Sequence, residues 1–170
     1  NMVIQSFTEK TWDRDRYPNI SWNESSCSKT QGCVVDVDFL DLIQEMRSEL
    51  NFSMAFTSIY RDATHPVEDK KVAAGKRPGS HNMGCAVDIK VRGEQAKLIL
   101  WYVLARSQLI GKERLAFHRE NIREEIEAGI TGIGIRQKGK KRFIHLDGMN
   151  EDQCASLGLG VGWESRLWTY

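Results

Sequence analysis

The chain reads as an α+β domain, a small and mostly antiparallel sheet with helices packed on it. Three observations predict that class. Two short strands, residues 131–136 and 142–147, are joined by Gln137-Lys138-Gly139-Lys140-Lys141, a turn of hairpin length that carries a glycine. Two further strand-like runs, 52–59 and 84–92, are set apart by links long enough to hold helices. Apolar residues recur at three and four positions over 36–50 and 94–110, the period of a helix with one buried face.

Residues 1–34 are polar and irregular, with Trp12, Tyr17 and Trp22 spread among turn formers, and predict an arm wrapped on the domain. From 36 to 50 the residues Phe39, Leu40, Ile43, Met46 and Leu50 define a helix, with Asp36 or Asp38 as its N-cap. Residues 52–59 form the first strand. Residues 62–83 show no periodicity and carry Pro66, Gly75, Pro78 and Gly79, so they predict a long loop, and loops of that length are usually functional. The strand 84–92 holds Asp88 at its centre. The helix 94–110 should turn Leu98, Trp101, Tyr102 and Ala105 to one face, with Gly111 past its end. Residues 112–128 are highly charged at helical spacing and predict a solvated helix, with His118 on its surface. The tail ends in Trp163, Trp168 and Tyr170.

At 170 residues, with 41% hydrophobic and 28% charged, the chain is sized and composed for one globular domain over 1–170, expected as a monomer. A net charge of +1 gives no case for nucleic acid. No apolar run approaches the ~20 residues of a membrane span. No signal peptide opens the chain, and Met2 reads as the natural start, so synthesis in a cytoplasm is expected. Cys27 and Cys33 lie in one polar loop and leave three readings open: a disulfide, a second metal site, or free thiols.

The chemistry concentrates in Gly79-Ser80-His81-Asn82-Met83-Gly84-Cys85-Ala86-Val87-Asp88-Ile89. A loop-borne imidazole, His81, and a strand-borne carboxylate, Asp88, can converge on one cation if the chain turns near Gly84. His145-Leu146-Asp147, on a later strand, offers a second imidazole. His81, Asp88 and His145 would supply the three protein ligands of a catalytic zinc, leaving the fourth position to water. His145 and Asp152 repeat the separation of His81 and Asp88 and are read as coincidence. Asp147 lies two residues beyond His145 and shares its face of the strand. It can serve as proton shuttle or as the carboxylate that orients a ligand imidazole.

Three blocks, Thr57-Ser58-Ile59-Tyr60-Arg61, Ser80-His81 through Gly84, Ala86, Asp88 and Ile89, and Phe143-Ile144-His145-Leu146-Asp147, resemble those of the zinc D-Ala-D-Ala carboxypeptidases and murein endopeptidases. That fold is shared with the hedgehog signalling domain. Phage-encoded members are especially similar, through His65-Pro66-Val67-Glu68, Gly132-Ile133-Gly134 and the closing Trp168-Thr169-Tyr170. The resemblance implies a hedgehog-like α+β fold and zinc held by His81, Asp88 and His145. It implies that Arg61 steadies the substrate carbonyl and that Ser58 and Ser80 line the site. The implied substrate is a peptidoglycan stem peptide, cut in cell-wall lysis or by a virion component. Two positions depart from the family pattern: Ile59 stands for a usual glycine, and Arg142 stands where many members have an acidic base three residues before the last histidine. Asp147 is the replacement. Residues 112–128 read as an insertion relative to shorter members. The rival from another class is a metal-holding, non-catalytic binding or phage structural module.

Overall fold

A computed structural model describes residues 2–107, 129–159 and 166–170. A two-stranded antiparallel ribbon is made by β1 (Ile4–Phe7) and β2 (Cys33–Asp36). The main sheet has five strands in the order β3 (Ala55–Ser58), β4 (Ala86–Lys90), β6 (Phe143–Asp147), β5 (Gly132–Arg136) and β7 (Arg166–Thr169). Its pairs are antiparallel except β5 with β7, so the sheet is mixed. Helices α1 (Trp22–Ser25), α2 (Val37–Leu50), α3 (Pro66–Ala73), α4 (Gly93–Ser107) and α5 (Glu151–Ser156) complete the described elements. The α+β class stands as expected.

The two faces of the main sheet differ in chemistry because side chains alternate along each strand. One face carries Val87 and Ile89 of β4, Ile144 and Leu146 of β6 and Ile133 of β5, all buried in one hydrophobic cluster with Phe39, Leu40, Ile43 and Met46 of α2. Each such side chain contributes roughly 1.5–3 kcal/mol when fully buried. The other face carries Asp88, His145, Asp147, Gly132 and Gly134, and the site is built there. Asp36 caps α2 by accepting the Asp38 amide, and Asn51 ends that helix in the left-handed conformation.

Several expectations need correction. Residues 62–83 are not all loop: α3 begins at Pro66, with His65 as N-cap, and buries only Glu68, which leaves no apolar period to read. The first 34 residues hold β1 and α1 as well as an arm. That arm does wrap onto the core, where Trp12 stacks on Tyr17 at 5.2 Å between ring centroids. On α4 the buried residues are Ala96, Ile99, Tyr102 and Val103, whereas Leu98 and Trp101 are exposed. The run Leu98-Ile99-Leu100-Trp101-Tyr102-Val103-Leu104 is apolar all round, so periodicity placed Tyr102 correctly but Leu98 and Trp101 on the wrong side. The tail adds α5 and the edge strand β7. The predicted helix 112–128, with His118, lies outside the described residues. Cys27, Cys33, Cys85 and Cys154 are free and buried, which matches the thiol reading of the polar loop.

Candidate metal centre

His81 reaches the site because the chain turns sharply at Gly84. The turn is closed by amides of Asn82 and Met83 donating to the Gly79 carbonyl, and by Gly84 donating to His81. Gly84 has φ +76°, and a Cβ there would meet the Val34 carbonyl oxygen and lie 2.7 Å from Val35 Cα. Only glycine fits both the conformation and the space. β4 then carries Asp88 opposite His145 of β6 in register, with Ser58 of β3 opposite Asp88 on the other side.

One ligand atom from each of His81, Asp88 and His145 lies within 4.8 Å of the others. Asp88 Oδ1 is 3.2 Å from His81 Nε2 and 2.8 Å from His145 Nδ1. Ligands about 2.0–2.1 Å from a tetrahedral ion stand roughly 3.3 Å apart, so these separations suit one. The tautomers fit as well. His81 Nδ1 donates to the Ile59 carbonyl at 2.8 Å, which leaves Nε2 with a lone pair. That Nε2 is buried without a hydrogen-bond partner and points its lone pair at an anionic oxygen. Two acceptors facing each other in a buried place call for a cation between them. The described residues therefore hold a buried His–Asp–His group that could bind a metal ion.

Around this group the charges alternate. Asp88 Oδ2 accepts from Arg61 Nη2, while Oδ1 faces the two imidazoles. Arg61 Nη1 is 3.9 Å from Glu68, a carboxylate with no exposed surface that accepts the Gly79 amide at 2.7 Å and Lys71 Nζ at 3.0 Å. On the other flank His145 Nε2 is 3.2 Å from Asp147 Oδ2, and Asp147 also accepts from Arg166 Nη2 and from the Met149 amide. Ser80 Oγ lies 3.4 Å from the same His145 nitrogen. Arg142 is exposed and donates to Gly139, away from the site.

Titration follows these contacts. Burial pushes the His81 imidazole down, and Asp88 offsets that only in part. Burial alone would lower His145 too, but hydrogen bonds to Asp147 and Asp88 win and leave it raised. Burial would raise Asp88, Asp147 and Glu68, yet all three are held below their ordinary values. For Asp88 the cause is the neighbouring imidazoles of His145 and His81, for Asp147 it is His145 and Arg166, and for Glu68 the Gly79 amide and Lys71.

All of His81, Asp88, His145, Arg61, Ser80 and Asp147 come together, and Ser58 sits across from Asp88. Asp147, only 1% exposed, has its oxygens taken by Arg166, His145 and Met149, which favours orienting the imidazole over reaching a substrate. Asp152 is exposed on α5, as coincidence would have it.

Sequence reasoning gave no role to Arg166 or to the two glycines of Gly132-Ile133-Gly134. A Cβ at Gly132 would strike Asp147 Oδ2 and sit 2.7 Å from Arg166 Nη2; one at Gly134 would sit 2.7 Å from Trp168 Cε2. The glycines clear the open face for the Arg166–Asp147 pair and for the Trp168 ring, 5.5 Å from His145. Glycine at every second position of a short strand was the available signal. Fold and site thus define an α+β protein with a buried group suited to a metal ion. No protein-family model, curated protein or solved structure matches the chain.

Proposed function

We propose that the chain is a zinc-dependent peptidase cleaving an amide bond in peptidoglycan stem peptides, as carboxypeptidase or endopeptidase. The observation that carries this reading is the lone pair of His81 Nε2, buried and facing Asp88 beside His145. Two imidazoles and a carboxylate are a donor set that zinc prefers, and the three sequence blocks resemble those of wall peptidases. Bound zinc would supply Lewis acidity and lower the pKa of a water to roughly 7.

The chain's own residues supply the rest. The Ile59 carbonyl fixes His81 with its proton on Nδ1. Asp147, itself held by Arg166, fixes His145 with a proton on Nε2 and frees Nδ1 toward Asp88. Arg61 holds permanent positive charge beside Asp88, where it can meet negative charge developing on a substrate carbonyl. Trp168 and Tyr170, 6.2 Å apart, give the site an aromatic wall. Among the described residues no helix is long and apolar enough to cross a membrane.

The rival reading, a metal-holding binding module, draws support from Arg142 and from the full engagement of Asp147. Digestion of purified sacculi decides. Zinc-loaded protein should release peptide fragments identifiable by mass, while chelated protein and His81→Ala should not. Stoichiometric zinc with no release would overturn the peptidase reading in favour of binding.

A further inference from the structure

The open face of the sheet continues past the metal group in tiers. Asp88, His145 and Gly134 form one row across β4, β6 and β5, and two residues further along come Lys90, Phe143 and Arg136. Residues two apart on a strand share a face and are about 6.8 Å apart, so Lys90 and Arg136 flank the site on its own side. Beyond this row the hairpin adds Lys138, Lys140, Lys141 and Arg142, and Arg92 leaves β4 at the same end. All seven are exposed.

The cluster is assembled rather than loose. Gln137 Nε2 donates to Val91 at 3.1 Å and to Phe143 at 3.3 Å, tying the hairpin to the exit of β4. Gly139, at φ +71°, makes the tight turn, and Arg142 Nε closes it on the Gly139 carbonyl at 3.1 Å. Among the described residues none of the seven forms an ion pair, so their charges are left to solvent or to a partner. Nor does overall basicity explain them. Without these seven, the other 17 basic residues of the chain face 23 acidic ones. Positive charge has been gathered at one end of a nearly neutral protein.

We propose that this end of the sheet is an electrostatic docking surface for a linear phosphodiester polymer attached to the cell wall. The partner's chemistry follows from the surface. It offers four exposed lysines, which meet phosphates as point charges, spread over a turn and two strand ends. Such an array suits repeated charges on a chain. Its continuity with the metal group, through Lys90 and Arg136, suits a chain that is carried by the same wall as the scissile amide. This choice of polymer rests on the proposed wall substrate.

The test is sedimentation of the whole protein with Gram-positive sacculi, either intact or stripped of phosphodiester polymer by hydrofluoric acid. Binding to intact sacculi should exceed binding to stripped ones at least tenfold. With about five charges engaged, it should fall about a hundredfold between roughly 50 and 200 mM salt. Lys138→Glu, Lys140→Glu and Lys141→Glu together should abolish the difference between the two kinds of sacculi while zinc content stays unchanged. Equal binding to intact and stripped sacculi, or full binding by the triple variant, would overturn the proposal. Displacement by DNA at lower phosphate concentration than by the released wall polymer would assign the surface to nucleic acid instead. Fragment release is read in parallel. Release without a binding difference sinks the docking surface and leaves the peptidase standing, while a binding difference without release does the reverse.

Discussion

Asp147→Asn tests how the second imidazole is prepared for a metal. The carboxylate of Asp147 faces four donors: two nitrogens of Arg166, the Met149 amide and His145 Nε2. Asparagine offers one acceptor oxygen and an amide that donates. If the oxygen stays with Arg166, the amide faces His145 Nε2, which must then accept, and the ring proton moves to Nδ1. That proton points at Asp88 Oδ1, 2.8 Å away, where a metal would need a lone pair. The wrong tautomer should weaken zinc binding by roughly ten- to a hundredfold, the usual effect of losing such a partner, or about 1.4–2.7 kcal/mol. Stability should fall as well, because the half-buried Arg166 loses its counter-charge, at about 3 kcal/mol or more. Arg166→Met separates the two effects: it removes the guanidinium but leaves the carboxylate on His145, so it should cost stability with zinc affinity near normal. Competition against a chromophoric chelator measures the affinity, and urea unfolding measures the stability. Normal zinc affinity in Asp147→Asn with turnover lowered 10²–10⁴-fold, the usual share of general acid–base catalysis, would refute the tautomer argument and make Asp147 the shuttle.

Arg61→Met should keep zinc, since Asp88 Oδ1 still faces both imidazoles, and should lower turnover by about 10²–10³, the typical loss of one oxyanion donor; loss of zinc would instead make the arginine a support for Asp88. Glu68→Ala leaves the Gly79 amide and Lys71 without their acceptor and should cost about 1–3 kcal/mol in urea unfolding, with Glu68→Gln costing less; no loss for either would show the carboxylate to be dispensable. With metal removed, the two histidines act on stability with opposite sign around their ordinary value of 6.5. Below it the unfolded chain protonates His81 and the folded chain does not, so stability rises with pH toward 6.5. Above it the folded chain keeps a proton on His145 that the unfolded chain releases, so stability falls as pH climbs through the raised value. Denaturant titrations of chelated protein from about pH 5 to 8 should therefore peak near 6.5, and a steady rise across the range would contradict the assigned protonation states.

The parts of this arrangement that were legible in the sequence are those encoded locally. The period of Phe39, Leu40, Ile43 and Met46 marks α2, and Asp36 caps it because its short side chain reaches the Asp38 amide. The His81–Asp88 spacing could be read because a single conformational need, a turn at Gly84, brings the two together. α3 escaped because it buries a glutamate and no apolar stripe, although His65-Pro66 was a start signal in plain view. The buried face of α4 escaped because every face of residues 98–104 is apolar. Arg166 escaped for a different reason. Its partner Asp147 is 19 residues away and reaches it only through the parallel pairing of β5 with β7, and no local pattern encodes such a crossover.

The charges of the site follow one another in alternating sign from one flank to the other: Lys71, Glu68, Arg61, Asp88, the His145 imidazole, Asp147 and Arg166. Asp88 makes this possible by dividing its oxygens. Oδ2 belongs to Arg61, and Oδ1 is left to face His81 and His145, so the arginine can stay in place when Oδ1 turns to a cation. Ile59 in place of glycine is accommodated, since the residue's side chain is buried and its carbonyl is what fixes the His81 tautomer. Arg142 sits on the hairpin with its guanidinium on Gly139, outside the alternating chain, and so neither supplies a base nor disturbs the ligands. An acid at that position would have to come from elsewhere in the site. Among the described carboxylates near the metal group, Asp88 faces the cation position, Asp147 is bound to Arg166 and Glu68 is bound to Gly79 and Lys71. Each is held by a donor that would have to let go before it could carry a proton. Asp147, with both oxygens engaged by Arg166, His145 and the Met149 amide, is placed to hold the His145 imidazole rather than to move.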